Sequence, residues 1–137
     1  MTKQAFQRVE QPPGSRLCLA CVVATLTDTT LAEVMDRCDL VNESTPLPFH
    51  LAVQYLARRR WHVGILLDGR FALVRLLLFS LRYRRYGAIL ITRPEGTVGV
   101  HAVLWTGAEI IDPAPGATGK RLRDYQIMEW WPLVRLA

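Results

Sequence analysis

Apolar positions fall at helical spacing through the first sixty residues and in continuous or alternating runs after that. Leu17 to Leu26 is apolar or small at nearly every position, with Cys21, Val22, Ala24 and Thr25 among them. That texture predicts a helix buried on most sides. Ser15 stands ahead of it as a candidate cap, and Thr27-Asp28-Thr29 breaks it. Thr30-Leu31-Ala32-Glu33 is a capping box, a hydroxyl at the N-cap and Glu three residues on, and it predicts a short helix to about Arg37. Asp39 to Pro48 reads as loop. Pro46 and Pro48 introduce a third helix, about Leu47 to Arg59, with Leu51, Val53, Leu56 and Ala57 facing the core.

From Trp61 the period changes. His62 to Leu67 reads as a strand ended by an Asp68-Gly69 turn. Phe71 to Arg82 is dense in Leu and is read as a helix with Arg75 and Arg82 outside, a strand being the alternative. Gly87 to Thr92 is a strand, and Pro94-Glu95-Gly96 turns the chain into a further one, Val98 to Trp105. Thr106-Gly107 is a tight-turn signal, and Ala108 to Ile111 returns as a strand. Pro113 to Gly119 is loop. Lys120 to Ala137 reads as irregular with a short strand or turn, Trp130 and Trp131 sealing an edge of the core. Residues 1–15, broken by Pro12, Pro13 and Gly14, form an extended arm. Helices first and mainly antiparallel strands afterwards give an α+β fold, one domain over residues 1–137.

The hairpin makes a geometric prediction. With Thr106 and Gly107 as its two turn residues, Trp105 faces Ala108, Leu104 faces Glu109, and, continuing, His101 faces Asp112. Directly opposed residues have Cβ atoms about 4.5–5.5 Å apart on one face. A carboxylate there holds one imidazole nitrogen and fixes the tautomer, leaving the other nitrogen for a third group. The bland alternative is an edge histidine beside an Asp-Pro turn.

Cys18 supplies the third group. It stands at the start of the first apolar helix, and both a helix N-terminus and a neighbouring imidazolium favour a thiolate. A thiol, an imidazole and a carboxylate in that order form a nucleophile, base and orienter set. An oxyanion needs donors, for which Gln11 is the nearest upstream side-chain amide, with Gln7 and Gln4 further off. Cys21, one turn further in, reads as an inert core thiol. Cys18-Leu19-Ala20-Cys21 is formally C-x-x-C, but a Pro-rich arm precedes it where a redox site would have a strand. A zinc site would need two more ligands, and Cys38, His50 and His62 lack paired spacing.

Composition narrows the classes. The 137 residues are 50% hydrophobic and 21% charged, enough apolar content for a real core and too much for disorder. No secretory segment is visible at the start and the longest apolar run is broken by Arg75, so the expected location is the cytoplasm, with no membrane span. Three cysteines argue against a disulfide framework. The net charge of +5 leaves acidic partners open. Arg58, Arg59 and Arg60 form one basic cluster and Arg82, Arg84 and Arg85 another, the second interleaved with Tyr83 and Tyr86. An acidic partner on these clusters is preferred to a nucleic acid, and a solvated helix end is the bland alternative.

The cysteine-bearing segment, C-x-x-(small)-x-x-A-x-L followed by a break and a T-L-x-E-V helix, resembles the nucleophile region of papain-like cysteine peptidases. It is most similar to the small branch containing bacteriocin-leader-processing peptidases and bacterial and phage relatives. His101 in G-x-H-A-V and Asp112 in a strand ending D-P resemble that branch's histidine and acid. The resemblance implies a papain-like α+β fold and a peptidase, or related thiol hydrolase, acting on a peptide or isopeptide bond. It implies catalytic roles for Cys18, His101 and Asp112, an oxyanion role for Gln11, and no cofactor or metal. Two positions depart from the pattern: Leu19 replaces the usual Gly after the nucleophile, and Gln11 lies seven residues before Cys18 instead of six. They keep open an alternative, an inactive papain-like module that binds a protein partner as an accessory or inhibitor.

Overall fold

Helix α1, Cys18–Thr27, is the hub of the fold. Every residue from Leu19 to Leu26 is buried, and the small and β-branched side chains between these two leucines let neighbours approach from several sides at once. The structure is a computed structural model and describes residues 6–64, 67–68, 87–94 and 99–136. The expected Phe71–Arg82 helix and the cluster of Arg82, Arg84 and Arg85 lie outside those residues, as do parts of the Asp68-Gly69 and Pro94-Glu95-Gly96 turns.

The other α-helices among the described residues are α2, Leu31–Arg37, and α3, Phe49–Arg58, and both pack on α1. Thr30 caps α2 by accepting the Glu33 N–H at 3.1 Å. Ser15 does not cap α1: Leu17 takes the N-cap position with no side-chain bond, and the Ser15 hydroxyl is buried without a partner among the described residues. Asp28 ends α1 in the left-handed region, φ 54°. The inward face of α3 carries Ala52, Tyr55 and Leu56. Of the four side chains expected there only Leu56 is fully buried; Leu51 and Val53 are half-buried and Ala57 is exposed. The spacing was right and the face was turned by one residue, because Tyr55 claims the interior through its hydroxyl, which donates to Thr29 Oγ1 at 3.0 Å.

Among the described residues six strands form one antiparallel sheet: β1, Trp61–Val63; β2, Leu67–Asp68; β3, Gly87–Thr92; β4, His101–Trp105; β5, Ile110–Ile111; and β6, Ile127–Arg135. Their order is β1-β6-β3-β4-β5, with β2 also paired to β6. The α+β class expected from the pattern is what the chain adopts. The expected His62–Leu67 strand is two short pieces, and the Val98–Trp105 strand is shortened to β4.

The C-terminal segment corrects the reading more sharply. Far from irregular, it is the nine-residue strand β6, set between β3 and the β1/β2 edge. Trp130 and Trp131 therefore do not seal an edge. They point to opposite faces of an inner strand, 2% and 6% exposed, as alternation requires. Pro132 concealed this strand, since proline cannot donate to a ladder. It sits opposite Ala88 on one side, and on the other its carbonyl takes the Gly64 N–H at 2.8 Å, just past the end of β1.

Both faces of the sheet are covered. Ile89, Ala102, Leu104, Trp131 and Leu133 pack with the helices, and Ala88, Leu90, Val103, Trp105 and Trp130 pack with Leu122 on the other side. Strand β4 is thus buried on both faces except at its first residue, His101.

Candidate active site

Cys18 is the first residue of α1, and α1 lies along β4. The packing that buries α1 therefore sets the thiol beside the start of β4, where His101 stands. The Cys18 thiol is set where the His101 side chain and the backbone N–H groups of Ala102 and Leu19 act on it. Burial pushes its pKa up, but these donors and the charge of His101 outweigh it, so the thiol lies below its ordinary value of 9.0.

His101 Nε2 meets Asp112 Oδ1 at 2.6 Å, the two side chains being 15% and 6% exposed. With Nε2 committed to Asp112, Nδ1 is the nitrogen left for the thiol. Burial would lower the imidazole pKa, yet the bond to Asp112, the neighbouring Cys18 thiol and the charges of both raise it from 6.5 to about 9. Asp112 is also pushed up by burial, and is held below the ordinary 3.8 by the bonds from His101, Tyr125 and the Ala114 N–H. The arrangement stores a proton on His101 between two groups that favour the anion, and it lowers the pKa of a thiol at the mouth of a helix.

The register that brings His101 to Asp112 differs from the expected one. Leu104 pairs with Ile111 and Trp105 with Ile110, so the turn contains Thr106, Gly107, Ala108 and Glu109. Thr106 closes it, its hydroxyl accepting the N–H groups of Ala108 and Glu109 at 3.3 and 3.1 Å. A four-residue turn moves every pair by two positions, and a shift of two preserves the face while a shift of one reverses it. His101 and Asp112 are diagonal neighbours instead of opposed ones, still within reach of an imidazole and a carboxylate.

Asp112 is gripped from all sides. Tyr125 donates its hydroxyl to Oδ2 at 2.6 Å, and the Ala114 N–H donates to Oδ1 at 2.9 Å. Arg8 Nε donates to the Asp112 carbonyl at 2.7 Å and its terminal nitrogen to the Ala114 carbonyl at 2.6 Å. Neither Tyr125 nor Arg8 was singled out from the sequence. No spacing rule links Tyr125 to Asp112, because the loop between them has no period. Arg8 lies more than a hundred residues away, in the arm.

Gln11 is brought to the same end of α1. Its backbone N–H donates to the Pro113 carbonyl at 2.7 Å, and its side-chain amide donates to the Ser15 carbonyl at 2.7 Å. One amide hydrogen is thereby used and the other remains. The arm is no loose lead-in, since residues 8–11 are tied to residues 112–116 and to Thr25.

The remaining candidates stay apart. Leu19, the position after the thiol, is 9% exposed and packs in the helix-side core, so its bulk goes inward. Cys21 is fully buried, and burial pushes it to about 12, as befits an inert core thiol. Cys18, Cys21 and Cys38 are all free thiols. Among the described residues no three His, Cys, Asp or Glu side chains converge as a metal shell, and no single helix is long and apolar enough to cross a membrane. Arg59 pairs with Glu33 at 2.8 Å, and Arg58 and Arg60 lie beside it at the end of α3. No protein-family model matches the chain, and no curated protein matches its sequence.

Proposed function

We propose that this protein is a thiol hydrolase of the papain-like cysteine peptidase type, cleaving a peptide or isopeptide bond. The observation that carries the reading is the 2.6 Å contact of His101 Nε2 with Asp112 Oδ1 beside the Cys18 thiol, whose pKa His101 lowers. In this reading Cys18 attacks the carbonyl carbon as a thiolate. His101, holding the proton, gives it to the leaving amine, then takes one from the water that releases the acyl group. Asp112 keeps the imidazole aligned and charged. The Cys18 N–H and the second amide hydrogen of Gln11 are the donors assigned to the oxyanion. Three free thiols suit a reducing compartment, and the reading places the protein in the cytoplasm.

One observation favours the alternative, a non-catalytic module of the same architecture that binds a protein partner: the Gln11 amide is already engaged by Ser15. The inward packing of Leu19 supports the enzyme instead, because a large side chain there does not fill the space over the thiol. The rate of Cys18 alkylation by iodoacetamide across pH separates the two. The enzyme reading expects a reactive thiol titrating below the free-thiol value, shifted upward by His101→Ala and abolished by Cys18→Ala. A slow thiol with ordinary titration, indifferent to His101, leaves the binding module. An activated thiol is then presented with a mixed peptide library, and turnover that vanishes in Cys18→Ala identifies the substrate.

A further inference from the structure

The C-terminal ends of α2 and α3 line one cavity, and Tyr55 in its wall donates to Thr29, in the link that follows α1. Arg37, from α2, and Arg58 and Arg59, from the end of α3, line a cavity of about 200 Å3 with Tyr55. All three arginines are exposed. Arg59 is held in place: it pairs with Glu33 at 2.8 Å, and its guanidinium lies 5.4 Å from the centre of the Tyr55 ring. Arg37 and Arg58 pair with no carboxylate among the described residues. The lining is therefore three guanidinium groups and the Tyr55 ring, with one of the three paired to Glu33.

Two helix C-termini also point their negative ends here, so dipole compensation accounts for part of the charge. One cation at each terminus meets that need, and this cavity holds three. Guanidinium forks in such a setting match carboxylates and phosphates by paired N–H donors. At about 30 Å3 per water-sized group the cavity has room for roughly six such groups, the heads of one or two acidic side chains. A nucleic acid fits less well. Tyr55 is only 5% exposed, its hydroxyl is spent on Thr29, and its ring already lies beside Arg59, so it offers no face on which a base can stack.

We infer that this cavity is a docking site for an acidic polypeptide segment, whose carboxylates are taken by Arg37, Arg58 and Arg59. Helix α1 has ten residues, about 15 Å of axis, and separates the cavity from Cys18. At about 3.3 Å per residue, at least five extended residues would span that distance. Where the thiol-hydrolase reading holds, the site selects substrates with an acidic stretch at least that far from the bond being cut. The docking itself does not depend on that reading.

The test is fluorescence anisotropy of the full chain with a labelled ten-residue Glu-rich peptide, its Gln-for-Glu counterpart and a single-stranded oligonucleotide of equal charge. The Glu peptide should bind and weaken as salt rises, while the Gln peptide should not bind. Arg37→Glu with Arg58→Glu should weaken the Glu peptide tenfold or more. Arg93→Glu with Arg123→Glu, an equal change of charge at exposed positions away from the cavity, should leave it within about twofold. Equal loss in both double variants would show net charge alone and overturn the site. Tighter binding of the oligonucleotide with the same dependence on Arg37 and Arg58 would overturn the polypeptide assignment. Alkylation of Cys18 should be unchanged in Arg37→Glu/Arg58→Glu, so failure here is distinguishable from failure of the hydrolase reading.

Discussion

The His101 imidazole and the Asp112 carboxylate meet at 2.6 Å although their strands set them two positions out of register. The contact survives because a four-residue turn keeps both side chains on one face of the hairpin, and because four further donors fix the Asp112 segment from outside the sheet. The charge of Asp112, not only its shape, is what holds the proton on His101. Asp112→Asn keeps one acceptor oxygen for Tyr125 or Ala114, turns an amide donor towards the other, and removes that charge. His101 should lose much of its raised proton affinity, and the pH at which Cys18 becomes reactive should rise. Well below its pKa, a thiol loses about tenfold in thiolate fraction for each unit of upward shift. Alkylation of Asp112→Asn at pH 6 should therefore be slower than wild type by tenfold or more. An unchanged rate would mean that Asp112 does not act through His101.

The same pair sets a pH dependence of stability, with two limbs of opposite sign. His101 is raised from 6.5, so its contribution is complete below about 6.5 and is lost as pH rises through the folded value, about 9 in the intact protein. Asp112 is held below 3.8, so its contribution is present above that value and is lost as pH falls through the folded one. Cys18, also lowered, opposes the His101 limb by contributing more as pH rises towards 9.0. Cys18→Ala removes that opposition, although it also takes away one of the groups that raise His101. Urea midpoints of Cys18→Ala should be highest between about pH 4 and 6.5 and should decline above that range. Adding His101→Gln should flatten the alkaline decline. A slope that survives the histidine substitution would place its origin elsewhere.

Tyr125→Phe isolates the outer support of the carboxylate. A hydrogen bond to a charged acceptor contributes about 1.5–3 kcal/mol, and Oδ2 would be left buried with its donor gone. Equilibrium denaturation should show a loss of about 2 kcal/mol near neutral pH. The Asp112 carboxyl should also move up, so the acid limb of stability should begin at higher pH than in wild type. A stability loss with no displacement of the acid limb would make Tyr125 a packing residue and nothing more.

Local rules with one physical cause were legible in the sequence. Thr30 and Glu33 announced a helix start, the small-residue run announced a helix buried on most sides, and Gly87 to Thr92 announced a strand. Cys18, His101 and Asp112 were legible as candidates because each carries reactive chemistry at an element end. What escaped reading depended on partners far away in the chain. The face of α3 was misplaced because the pull of Thr29 on Tyr55 is tertiary. Strand β6 was missed because Pro132 contradicts a strand until its place beside Gly64, just past the end of β1, is known. The turn was taken as two residues because Thr106-Gly107 carries the tight-turn signal, whereas the Thr106 hydroxyl holds a longer one.

The β3–β4 ladder that carries His101 places its tightest demand at the other end. A Cβ on Gly87 would overlap the Trp105 carbonyl oxygen and come within 3.2 Å of its carbon. These are backbone atoms, so the clash is relieved only by moving a strand that is buried on both faces. Gly87→Ala should cost about 3 kcal/mol, at the upper end of what overpacking costs. Gly99→Ala is the matched control: a Cβ there meets nothing within 4 Å, and stability should hold to within about 0.5 kcal/mol. Trp105 is the last residue of β4 and His101 the first, with Thr92 tied to the His101 carbonyl at 3.0 Å. The damage should therefore stay at the Trp105 end. The folded fraction of Gly87→Ala should keep the wild-type pH profile of Cys18 alkylation while its denaturation midpoint falls. A profile that moved with the midpoint would show that the two ends of the ladder shift as one body.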